Sequence, residues 1–194
     1  QDAAELIESM PTGKMNKDVE AEMEAAKDVF EADKTIANYN VLSEAINAAN
    51  ASITAYANAK AYFDSAEPIL AGTNVYTEDA YNQYFATPLA EYEAGTLETA
   101  EASSFIKHST GWHSDKTVDE ILLSAWTIGG AQAHKFDTNL YINTWSVEGA
   151  NDGSEFLAPF FEYWGDDKLS LATTDIQAKV TGLEPSTTYS FTIR

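Results

Sequence analysis

All four tryptophans and all three histidines of this chain lie after residue 107, and its alanine-rich stretches lie before it. The hydrophobic period changes near the same place, from 3.6 residues to 2 at about residue 103. A chain divided in this way is expected to build two cores of different kinds. The reading is therefore α+β and multidomain. It places an antiparallel helical bundle over residues 1–100 and an antiparallel β-sandwich over 103–194, of jelly-roll or fibronectin-like type and cut short at its C-terminal end.

In the first part, Val19, Met23, Ala26 and Phe30 follow steps of four and three. Leu42, Ile46, Ala49, Ile53 and Tyr56 do the same, with Phe63 one heptad further on. Each set is the single apolar stripe of a helix packed in a bundle. Asn16 is placed to cap the first helix, Pro68 and Gly72 to close the second, and Thr77 to cap a third. That third helix runs through Tyr81, Tyr84 and Phe85, bends or breaks at Pro88 and stops at Gly95. A short helix is expected over Asp2–Met10.

The alanine rows around Ala45, Ala48, Ala49 and Ala55, and the tract from Gly72 to Ala80 that opens the next helix, resemble the FIVAR type of helical module in bacterial surface proteins. That resemblance implies a spacer or stalk, in some cases one that contacts sugar.

The second part alternates. Ile176, Ala178 and Val180 oppose Asp175, Gln177 and Lys179, and Tyr189, Phe191 and Ile193 oppose Ser190, Thr192 and Arg194. Both segments read as half-buried strands joined by the turn Gly182–Ser186. Further strands are expected at Phe105–His108, Ile121–Ile128, Leu140–Val147 and Pro159–Trp164, a spacing that points to a sandwich. The run Leu183-x-Pro185-x-Thr187-x-Tyr189 looks like a tyrosine corner, in which the hydroxyl ties back to the preceding loop.

The blocks Tyr141–Gly149, Asp152–Ser154, Pro159–Trp164 and Leu183–Tyr189 are similar, in order, to galactose-binding-like jelly-roll modules in secreted proteins of gut commensal bacteria. The resemblance implies an extracellular or cell-surface carbohydrate-binding or adhesion module.

Charge narrows the partners. The chain carries 31 acids against 11 bases, for a net charge of −20, and Arg194 is its one arginine. A nucleic-acid binder needs clustered cations, so that class is set aside, and an anionic membrane surface is disfavoured for the same reason. No apolar run is long enough to span a bilayer, so no membrane insertion is expected. Residues 1–100 hold 18 of the acids, and bundle stability is expected to rise with salt. Cysteine is absent, which removes disulfides and thiolate chemistry. No signal peptide precedes the acidic helix after Gln1, so an export signal would lie upstream or have been removed.

For ligand binding the candidates are Trp112, Trp145 and Trp164 as stacking surfaces, with Asn143, Asp152 and Glu162 to take hydroxyls. Trp145 and Trp164 read more readily as inter-sheet core anchors, and Trp112, beside Gly111 and His113 in a polar loop, is the one expected to be exposed. Oxygens at alternating positions near Asp152 leave structural calcium as a weak option beside an ordinary Asn-Asp-Gly turn, and no other cofactor is expected. His108, His113 and His134 match no metal-pair spacing. No catalytic motif is present, and the reading is of no enzyme. Two functions follow: a non-catalytic binding module for a glycan or other surface ligand, or a structural stalk that positions a neighbouring domain. The strand at residues 187–194 has no expected neighbour, which predicts edge-to-edge pairing with another strand.

Overall fold

A computed structural model of the chain describes residues 3–71, 75–105, 111–113, 116–130, 136–143, 156–163, 174–180 and 183–190. Two compact units divide it. The first comprises Gln1–Asp64 with Ala86–Lys107, and the second Ser65–Phe85 with His108–Arg194.

In the first unit, helices α1 (Ala3–Glu8), α2 (Lys17–Ala32) and most of α3 (Ile36–Ala71) enclose one core. Leu6, Met15, Met23, Ala26, Phe30, Leu42, Ile46 and Ala49 are buried together, with Val19 and Ile53 packed at the margin. The stripes read from the sequence thus face one another. Each large side chain buried here contributes about 1.5–3 kcal/mol. Alanine at positions 26 and 49 keeps the seam thin. A second aromatic cluster lies further along α3, where Tyr62 stacks on Phe105 at 5.0 Å and Phe63 meets Tyr92 at 5.7 Å.

Two helix boundaries differ from the sequence reading. Pro68 sits inside α3, which continues to Ala71. Pro68 removes only one backbone bond so near the end, and the buried Ala66 and Leu70 on either side hold the last turn. The third helix is three pieces: α4 (Glu78–Tyr81), a π-helical turn over Asn82–Ala86, and α5 (Thr87–Ala94) with Pro88 in its first turn. A proline ring clashes with the carbonyl four residues before it, and the helix meets that clash by widening one turn upstream. Gly95 ends α5 at φ 74°, in the left-handed region that favours glycine. A short α6 (Thr99–Ala102) follows.

The second unit overturns the expected sandwich. Helices make up most of the described residues, and no β-sandwich, jelly-roll or fibronectin-like, is present among them. Strand β1 (Gly111–His113) pairs antiparallel with β3 (Phe136–Asn143), which pairs with β4 (Phe156–Tyr163). Separately, β2 (Trp126–Gly130) and β5 (Thr174–Ala178) form an antiparallel ribbon. Between β1 and β2 lies α7 (Lys116–Leu123), where a strand from Ile121 was expected. Val118, Ile121, Leu122 and Ala125 are all buried, at steps of three, one and three. A short apolar run such as Ile121-Leu122-Leu123 fits a strand or a buried helical turn equally well, and here packing selects the helix.

The two C-terminal strands also fall short of the sequence reading. β5 stops at Ala178. Residues 187–190 form no strand, and 191–194 lie outside the described residues. Alternation is necessary for a half-buried strand, but a strand also needs a partner ladder. The tyrosine tie forms without one: the Glu184 backbone N–H donates to the Tyr189 hydroxyl at 2.7 Å. Ser186, at φ 60°, closes the turn between them.

Candidate functional site

Of the six residues selected for ligand binding, three lie on described backbone. Trp112 on β1 stands opposite Tyr141. Asn143, the last residue of β3, stands opposite Phe156, and Glu162 on β4 stands opposite Asp137. The register gives all three positions the same parity, hence one face of the three-stranded sheet. Yet Asn143 is at one end of the β3–β4 ladder and Glu162 is one pair short of the other. Six residues at ~3.4 Å each put them about 20 Å apart, too far to hold one sugar ring. Trp145, Asp152 with its calcium option, and Trp164 lie outside the described residues. So do His108 and His134, while His113 ends β1. Among the described residues no group of three or more His, Asp or Glu side chains could hold a metal ion.

The carbohydrate-binding, adhesion and secreted readings were inferred from a sandwich. With no sandwich among the described residues, they lose that support.

The most developed polar arrangement is elsewhere, in the first unit, and its centre is Asn16. This side chain is 3% exposed. Its Oδ1 accepts from the backbone N–H of Asp18 at 2.8 Å and of Val19 at 3.3 Å, so it caps α2. Its Nδ2 donates to the Leu97 carbonyl at 3.1 Å, and its own N–H donates to Ser52 Oγ at 3.1 Å. Ser52, on α3 and fully buried, also accepts from the Thr99 hydroxyl at 2.9 Å. Tyr56, one turn on, donates its hydroxyl to the Leu97 carbonyl at 2.7 Å. Beside it, the Lys17 N–H donates to the Gly95 carbonyl at 2.9 Å. Four segments distant in sequence are thereby joined: the start of α2, the middle of α3, the loop after α5 and the start of α6. Sequence reasoning identified Asn16 as a cap. It had no signal for the long-range partners, because Ser52 and Thr99 are ordinary residues until the fold brings them together.

Electrostatics add one feature at the edge of this clasp. Glu101 on α6 has its carboxyl pushed above the ordinary range, first by partial burial and then by Glu91 and Glu98 nearby. Tyr56 is raised too, chiefly by desolvation and next by Glu98.

In the second unit, Tyr76 and Tyr81 stack at 5.4 Å, and Tyr81 meets Phe85 at 5.5 Å. The Thr77 N–H donates to Ser124 Oγ at 2.8 Å, and Thr77 Oγ1 in turn caps α4. A hydrogen bond to the Glu120 carboxylate raises the Tyr84 hydroxyl above its ordinary range.

No family model, curated protein or solved structure matches this chain.

Proposed function

We propose that this chain is a non-catalytic structural module, a spacer whose first unit holds a fixed geometry for the sequence attached to it. The buried clasp around Asn16 carries this reading. A hydrogen-bonded polar network inside an apolar core rigidifies it and disfavours alternative arrangements, since other packings leave these buried donors and acceptors unpaired. A spacer needs that property. The groups of the clasp are committed to one another, which suits a lock better than a site that must release a substrate. The first unit's part of α3, residues 36–64, fits the same role, because 29 residues at ~1.5 Å each give about 43 Å of helix.

The absence of cysteine allows a direct test by spin labelling. Labels at Ile36→Cys and Asn58→Cys, both exposed on α3, lie 22 residues apart. Pulsed dipolar spectroscopy should give one narrow distance distribution centred near ~33 Å. A broad distribution, or one centred much shorter, would mean that α3 cannot set a separation, and the spacer reading would fall.

A further inference from the structure

We propose that β5 pairs edge to edge with β5 of a second copy of this chain, antiparallel and centred on Gln177. On one side β5 has β2 as its neighbour. The Lys179 N–H donates to the Ala125 carbonyl at 2.9 Å, so the ladder to β2 uses the backbone groups of Asp175, Gln177 and Lys179. Those of Ile176 and Ala178 point the other way, where no described residue bonds to them. Every residue from Asp175 to Lys179 is exposed, and Ile176 is 43% exposed. Two strands alone make a marginal sheet, and an open edge is a template for a further strand. Joining two ribbons through β5 gives a sheet of four.

Charge selects both the occupant and the register. Asp175, Gln177 and Lys179 share one face of the extended segment. Centred on Gln177, an antiparallel pair lets Ile176 of each copy exchange backbone bonds with Ala178 of the other. Gln177 then faces Gln177 across the two-fold axis, and Asp175 faces Lys179 once on each side of it. Opposite charges directly across a pair of strands stabilise it, and like charges destabilise it. The registers centred on Ile176 or Ala178 leave both charges unmatched. Gln177 also donates its side-chain amide to the Asp175 carboxylate, which keeps other lone pairs free for a lysine. On the opposite face Ile176 and Ala178 stand across from Ile128 and Trp126, so pairing would double an apolar strip. An unrelated strand would match the edge's backbone but not this spacing of acid and base.

The test is sedimentation equilibrium of the full chain at moderate salt, where a monomer–dimer equilibrium is expected. Asp175→Lys and Lys179→Asp, both at exposed positions, each set like charges opposite one another twice. Either should weaken dimerisation by about tenfold. Mixed in equal amounts, the two variants should dimerise with each other, because opposite charges then meet on both sides of the axis. Asp175→Lys also makes this acidic chain less acidic, so overall repulsion alone would strengthen its association, the opposite sign. In a chain without cysteine, Gln177→Cys should close a disulfide between copies under mild oxidation faster than Asn58→Cys, exposed on α3. A monomer up to roughly 1 mM would overturn the proposal. So would single variants that associate like the parent, a mixture no more dimeric than its components, or equal rates for the two cysteines.

Discussion

At the scale of single residues, Asn16 does two tasks with one amide. Its oxygen caps α2 and its nitrogen holds the Leu97 carbonyl. Replacement by alanine removes both, and a lost cap alone costs about 1 kcal/mol. A lost buried hydrogen bond adds ~1 kcal/mol, so Asn16→Ala should destabilise the first unit by about 2 kcal/mol in urea unfolding. Asn16→Ser, which keeps a capping oxygen but cannot reach Leu97, should recover about half of that. Equal losses for the two variants would place all of the effect in the Leu97 bond, and full recovery by serine would place it in the cap. The capping role was legible from sequence, because Asn16 stands just before an acidic first turn and an apolar stripe. The second role was not. Leu97 is 81 residues away, and only the tertiary path of the chain makes the two groups neighbours.

At the scale of elements, strongly periodic helices were legible and short apolar runs were not. The stripes of α2 and α3 each show several turns of the same spacing, so local pattern and burial agree. By contrast Ile121-Leu122-Leu123 carries no period, and Tyr189-x-Phe191-x-Ile193 carries a period without a described ladder to join. The three-stranded sheet was partly legible: β3 and β4 overlap the expected strands at Leu140 and Pro159, although both begin earlier. The candidate binding residues were chosen from composition, and register separates two of them by the length of a ladder.

One element boundary is open to direct test. Gly95 at φ 74° ends α5 and accepts from the Lys17 N–H. A Cβ there would stand 3.1 Å from Lys17 Cγ and Cε. Gly95→Ala should therefore cost about 1–2 kcal/mol, mainly for a left-handed alanine, with helix content unchanged by circular dichroism. A neutral or stabilising outcome would show that the turn relaxes out of the left-handed region.

At the scale of the whole molecule, the excess of acids sets how stability responds to solution conditions. Two ion pairs occur among the described residues, Lys27–Glu24 and Lys60–Asp64, and both are exposed, so they offset little of the repulsion. Glu101 gives this a pH signature. Its folded-state pKa is raised, so the folded protein binds the proton more tightly than the unfolded chain does. Stability contributed through Glu101 therefore rises as pH falls through that raised value towards the ordinary 4.5, and is lost as pH rises above it. Glu101→Gln should raise the melting temperature at neutral pH and flatten its dependence over that mildly acidic window. An unchanged pH profile would mean that Glu101 titrates as a free surface carboxylate.

Native-state hydrogen exchange tests most directly whether the first unit is locked at the Asn16 clasp. If the lock holds, the amides of Asn16 and Lys17, bonded to Ser52 Oγ and to the Gly95 carbonyl, will exchange with the same free energy as the core amides of Tyr56 and Ala59 on α3. Exchange of Asn16 and Lys17 through a separate opening far below the cost of unfolding α3 would contradict it.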